Sequence, residues 1–182
     1  MLDGMRALIV YESMFGSTRD IARAIADGLR PAAAVDVVGV EDAPGTLGEV
    51  GDDVSMLIVG APAHSFGLSR PRSRVAAAGR AATLPMATTD HGLREWLDAL
   101  PKTTGQRDAL TFETRLRVRG WPGSSAKAAA KRLRKAGYRL LWPGQTFYVA
   151  DLTGTLVEGE IQRAQMWGRW LGVGAPKRET QG

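Results

Sequence analysis

Ala7-Leu-Ile-Val-Tyr11-Glu-Ser13-Met-Phe-Gly16-Ser17-Thr18, running on into Ile21-Ala-Arg-Ala-Ile25, decides the fold. Five apolar residues in a row, Ala7 to Tyr11, suit a strand buried on both faces, as in a parallel sheet. Ile21, Ile25 and Leu29 recur at four-residue spacing and give the following helix one apolar face. Pro31 ends that helix, and Ser17 reads as its N-cap, with Asp20 three residues on as a variant capping box. The loop between strand and helix carries three hydroxyls (Ser13, Ser17, Thr18), one glycine and no lysine. A phosphate at the helix start would meet backbone N–H groups and the positive end of the helix dipole. Gly16 would let the backbone approach it closely.

Two phosphate loops are excluded. A Walker loop needs Gly-Lys-Ser/Thr, and Gly16 is followed directly by Ser17 and Thr18. The dinucleotide fingerprint needs three glycines, and this loop has one. Spacing alone leaves two readings open: a neutral phosphate cradle, or an ordinary strand-loop-helix turn capped by hydroxyls.

The rest of the chain alternates strands and helices, which argues an α/β fold. Strands are expected over Val35–Val40, Met56–Gly60, Asp108–Phe112, Tyr138–Trp142 and Thr146–Ala150, the last two divided by Pro143-Gly144. Helices are expected over Ser17–Leu29, Ser69–Ala82, Thr89–Leu100, Ser124–Ala136 and Glu158–Leu171. No linker or repeat divides the chain, so residues 1–176 read as one domain and 177–182 as a disordered tail.

Composition narrows the chemistry. The chain has 182 residues, no cysteine and two histidines, His64 and His91. Disulfides, thiolate nucleophiles and cysteine-ligated metals are excluded, and a histidine-rich metal site is not expected. No apolar run reaches transmembrane length, and the N-terminus does not read as a signal peptide, so a cytoplasmic protein is the expectation. Charge is uneven: residues 1–100 carry net −4 and residues 101–182 net +9. Arg115, Arg117, Arg119, Lys127, Lys131, Arg132, Arg134 and Lys135 supply most of the excess. Such a face fits an acidic or phosphate-rich partner, or a solvated helix surface, equally. No nucleic-acid motif accompanies it.

The run Ile9-Val-Tyr-Glu-Ser13-Met-Phe-Gly16-Ser-Thr18, followed by Ala22 and Ile25, resembles the flavodoxin signature. The resemblance implies a three-layer, five-stranded parallel sheet of order 2-1-3-4-5 with helices on both faces, FMN as cofactor, and single-electron transfer between redox partner proteins. Ser13, Gly16 and Thr18 fall on the family's hydroxyl, glycine and threonine positions, while Met14, Phe15 and Ser17 would supply backbone N–H groups to the FMN phosphate. Phe15 departs from the pattern, since many flavodoxins carry a second threonine there.

Two further loops would hold the flavin ring. After the third strand come Pro62, Ala63, His64, Ser65, Phe66 and Gly67. By resemblance, His64 or Phe66 would stack on the ring. Ser65 or Gly67 would allow the peptide rotation that offers a carbonyl to the reduced ring. After the fourth strand, Glu113 and Thr114 would line the crevice and Trp121 would either cover the outer flavin face or pack beneath the loop. The family's acidic surround is replaced here by Arg115, Arg117 and Arg119, which implies a less negative potential for forming the anionic reduced flavin. A flavodoxin-fold FMN oxidoreductase of quinone or protoporphyrinogen type, or a cofactor-free binding module acting through the basic face, are the alternatives.

Overall fold

The computed structural model describes residues 5–43, 54–63, 67–78, 91–103, 107–118, 120 and 122–174. Its elements are β1 (Arg6–Tyr11), α1 (Ser17–Leu29), β2 (Ala34–Gly39), β3 (Val54–Pro62), α2 (Pro71–Ala78), α3 (Leu93–Ala99), β4 (Asp108–Leu116), α4 (Ser125–Lys135), β5 (Arg139–Leu140), β6 (Gln145–Val149) and α5 (Glu160–Gly172). The strands form one parallel sheet of order β2-β1-β3-β4-β5, with β6 also paired to β4. Asp108 and Ala109 of β4 face Arg139 and Leu140, whereas Phe112 to Leu116 face Gln145 to Val149. β5 and β6 thus share one edge position, split where Pro143 can give no N–H to the ladder.

β-strand alternation sorts the core into two layers. Leu8, Val10, Leu57 and Val59 pack with Leu93, Trp96 and Leu97 of α3 and with Ala129 and Leu133 of α4. Ala7, Ile9, Ile58, Leu110 and Phe112 pack on the opposite face with Ile21, Ile25 and Leu29 of α1 and with Ala164 and Leu171 of α5. The strand order is the one expected, but β3 and β4 run further than the sequence implied. β4 continues through Glu113, Thr114 and Arg115, because β3 and β6 flank it on both sides and pair with these polar residues.

α1 and α5 touch backbone to backbone. A Cβ at Gly28 would stand 2.0 Å from the Gln165 carbonyl oxygen, and one at Gly168 would stand 2.1 Å from that of Ile25. Helix propensity alone favours alanine at each position by about 1 kcal/mol. Overpacking outweighs it, so Gly28→Ala and Gly168→Ala should each destabilise the protein by roughly 1–3 kcal/mol in urea unfolding. The double variant should lose less than the sum, since both changes strain one contact.

Candidate cofactor site

The loop from Glu12 to Gly16 leaves the carboxyl end of β1 beside that of β3, where the strand order reverses and ligands of such sheets bind. Glu12 N–H donates to the Gly60 carbonyl, 2.9 Å, which ties the loop's start to β3. Gly16, not Ser17, is the N-cap of α1, in left-handed conformation at φ +94°. It brings no side-chain cap, and Ser17 lies inside the first turn, buried. The expected Ser17–Asp20 capping box is therefore absent. The physical consequence is that the first-turn N–H groups of α1 have no side-chain cap from the N-cap residue and no side-chain acceptor among the described residues. Gly16 N–H donates to Ser13 Oγ, 3.1 Å, curling the loop over the helix start.

Arg19 adds a charge that spacing along the loop did not reveal. Its guanidinium folds back one turn, with Nη2 3.1 Å from where a Cβ at Gly16 would stand and Nε donating to Asp20 Oδ1 at 3.0 Å. The i, i+3 relation to Gly16 was the signal available in the sequence. Phe15 has a packing role. A Cβ at Gly154 would lie 2.9 Å from Phe15 Cβ and 3.2 Å from Ser17 Oγ, so the loop after β6 lies against this one. Hydrogen bonds from Thr155 and Thr153 to Asp151 shape that loop and hold the Asp151 carboxyl below the usual carboxylate range.

Pro62 ends β3, and Ala63 N–H donates to the Thr114 carbonyl, 2.7 Å, joining the β3 and β4 ends. His64, Ser65 and Phe66 lie outside the described residues. Gly67 is left-handed at φ +114°. Two arginines grip the chain just beyond it. Arg94 donates to the carbonyls of Leu68 (2.7 Å) and Ser69 (3.1 Å), and Arg74 donates to Ser69 Oγ (2.9 Å). Arg74, itself buried, also meets Glu95 Oε2 at 3.2 Å. Glu95 reaches back to Gly92 N–H at the start of α3, and buried Glu12 accepts from Leu93 N–H at 2.8 Å. Burial pushes the Glu95 carboxyl up, but hydrogen bonds from its own N–H, from Arg74 and from Gly92 outweigh this and leave its pKa lowered.

Glu113 sits at the end of β4 with its side chain almost wholly enclosed. Its Oε2 accepts from Ser124 Oγ (2.7 Å), Ser125 Oγ (3.2 Å) and Ala126 N–H (3.1 Å) at the start of α4, and its Oε1 accepts from Thr146 Oγ1 (3.2 Å). Arg115 Nη1 lies 3.5 Å from Glu113 Oε1, while Nη2 donates to the Gly123 carbonyl at 2.6 Å. The expected rim of arginines is thus partly a brace: Arg115 closes its own loop, and Arg117 is exposed. Arg119 and Trp121 lie outside the described residues. Thr114, on the other face of β4, turns its hydroxyl to Thr18. The structure so brings Ser13–Thr18, Pro62–Ala63 and Thr114 to three adjacent strand ends.

No helix among the described residues is long and apolar enough to cross a membrane, and none of them form a cluster of three or more His, Cys, Asp or Glu that could hold a metal ion. No protein-family model matches the chain, and no curated protein matches its sequence. The architecture is shared with solved structures. A flavodoxin from the domain Archaea aligns at a TM-score of 0.61 and 16% identity, over 93% of this chain and 97% of that one. Flavodoxin 1 from Bacillus cereus aligns at 0.60 and 14% identity, over 90% and 94%. A WrbA-like flavodoxin from Agrobacterium tumefaciens aligns at 0.54 and 17% identity, over 93% and 96%. The chain has the flavodoxin-like fold. At such identities the likeness establishes architecture, and function must be argued from the site.

Glu113→Ala should cost about 3 kcal/mol in chemical denaturation, because several buried donors lose their acceptor and Arg115 its counter-charge. Glu113→Gln should cost less. The lowered folded pKa of Glu95 stabilises the protein above the ordinary glutamate range, and that stability is lost as pH falls through the folded value. Stability measured against pH should therefore show a shallower acid limb in Glu95→Gln than in the wild type.

Proposed function

We propose that this chain is an FMN-binding, flavodoxin-like protein that carries single electrons between redox partner proteins. The observation that carries the reading is the uncapped start of α1 behind left-handed Gly16, at the reversal of strand order. A phosphate suits this donor set. Ser13 Oγ already accepts from Gly16 N–H, which leaves its own O–H to donate to a phosphate oxygen. The first-turn N–H groups point out along the helix axis, and the dipole favours an anion there. Arg19, already paired with Asp20, keeps its guanidinium beside Gly16, where it would add positive charge to a phosphate's surroundings.

FMN, once bound, supplies the redox chemistry, and the protein supplies position and electrostatics. The Pro62–Gly67 loop, which leads into Leu68 and Ser69 held by Arg94 and Arg74, and the loop between Arg115 and Ser124 would be the two walls for the ring. His64, Phe66 and Trp121 are the stacking candidates within them, and Ser65 and Gly67 the candidates for peptide rotation. Met14, Phe15 and Ser17 would contribute backbone N–H groups at the phosphate.

Exposed Arg117, just past the end of β4 beside β6, together with exposed Lys127 at the first turn of α4, fits an acidic redox partner docking on the strand ends. The same charges favour the anionic reduced flavin, so its potential should be less negative than in flavodoxins with acidic surrounds. Spectroelectrochemical titration measures this, and an equally low potential would refute it.

Purified protein tests the cofactor first. Flavin absorbance that survives dialysis, or quenching of added FMN fluorescence, is expected; absence of both would overturn the reading. Ser13→Ala should weaken FMN roughly tenfold, the worth of a charge-assisted hydrogen bond, and leave riboflavin little changed. Turnover of a quinone with a nicotinamide donor and no protein partner would instead favour a flavodoxin-fold oxidoreductase.

A further inference from the structure

The turn after β6 meets the Ser13–Thr18 loop through Gly154. Asp151, Leu152, Thr153 and Thr155 are exposed, whereas Gly154 is half-buried. It is left-handed at φ +85°, and a Cβ there would stand 2.9 Å from Phe15 Cβ, 3.2 Å from Ser17 Oγ and 3.7 Å from Ser17 Cβ. A Cβ is fixed to its backbone and cannot swing aside as the far end of a side chain can. Any side chain at position 154 must therefore push the loop itself. The turn is braced against giving way. Asp151 Oδ1 accepts from Thr153 N–H (2.9 Å), Thr153 Oγ1 (2.7 Å) and Thr155 N–H (3.1 Å), and Ala150 N–H donates to the Thr155 carbonyl at 2.7 Å. The loop opposite is anchored at its two ends, by Glu12 N–H on the Gly60 carbonyl and by the hydroxyl contact of Thr18 with Thr114. Gly154 stands against its middle, between Phe15 and Ser17.

We infer that the Asp151–Thr155 turn is a back wall for the phosphate cradle, and that Gly154 is a positioning residue that sets where the N–H groups of Phe15, Gly16 and Ser17 stand. The inference rests on the reading of the Ser13–Thr18 loop as a phosphate cradle. It adds a second segment, from far along the chain, on which the cradle's shape depends. Phe15 gains a use at the position where many flavodoxins carry a threonine, since its Cβ is part of the surface on which the turn sits. Hydrogen bonds weaken steeply with distance and misalignment, so a shifted loop loses grip on a phosphate. Riboflavin, which has no phosphate, does not register the shift.

Gly154→Ala tests this against Gly159→Ala. Both glycines have φ +85°, so alanine strains the two backbones alike, but nothing lies within 4 Å of a Cβ at Gly159. Each variant should lower the thermal midpoint of the flavin-free protein by roughly 2–8 °C. The affinity ratio of FMN to riboflavin, read by fluorescence quenching, separates them. It should fall about tenfold in Gly154→Ala, the worth of one charge-assisted hydrogen bond, and stay within about twofold of wild type in Gly159→Ala. Asp151→Ala loosens the turn without adding bulk and should lower the ratio about threefold. An unchanged ratio in Gly154→Ala or, should that variant not fold, in Asp151→Ala would overturn the inference and leave the cradle standing. An equal fall in Gly159→Ala would overturn it too, because backbone strain alone would then account for the loss. If wild-type protein prefers FMN no more than riboflavin, the cradle reading fails and the inference falls with it.

Discussion

The β3–β4 ladder is the contact on which the site depends. Met56 to Pro62 run in register with Asp108 to Thr114, both strands covered on either face. Because that register is fixed, Ala61 O meets Ser125 Oγ, Ala63 N–H meets the Thr114 carbonyl, and Glu113 reaches three donors at the start of α4. A one-residue slip would exchange the faces of Glu113 and Thr114, separating the first from α4 and the second from Thr18. Both candidate ring loops therefore leave the sheet from points set by one strand pair.

Polar burial around that pair follows a single logic. Charged side chains at the strand ends are enclosed where they complete a helix start or close a loop. Glu113 serves α4, Glu12 serves α3, and Glu160 accepts from Tyr148 N–H. Arg74, Arg94 and Arg115 do the complementary work on loop oxygens. Each satisfies backbone or hydroxyl groups that a turn at the end of a buried strand would otherwise leave unpaired. The loops gain definition from these bonds.

Much of the architecture was legible because it rests on local signals. The apolar runs Ala7–Tyr11 and Met56–Gly60, the four-residue period of Ile21, Ile25 and Leu29, and the break at Pro143-Gly144 name β1, β3, α1 and the split edge. What was not legible depends on partners far along the chain. Nothing near Thr114 shows that its hydroxyl meets Thr18, and nothing near Arg115 shows that it folds onto Glu113 and Gly123 rather than facing solvent. The cap of α1 was misplaced by one residue for a related reason. Serine is a strong N-cap former, but the left-handed turn at Gly16 carries the chain into the helix one step earlier. The polar end of β4 was read as loop because only its two neighbours make it a strand.

The divided edge has a bearing on how this protein behaves in company. An open parallel sheet ends in a strand whose outer N–H and C=O groups invite another chain. Here that outer strand is two short pieces, Arg139–Leu140 and Gln145–Val149, with a proline between them. Trp142, at the break, packs its ring against Trp170 of α5 at a centroid distance of 5.3 Å. Neither piece is long enough to template a continuous intermolecular ladder, and the break between them interrupts its register. The interruption that ends one strand and begins the next thus leaves this edge without a continuous strand to extend, whereas the opposite edge, β2, runs unbroken over Ala34–Gly39.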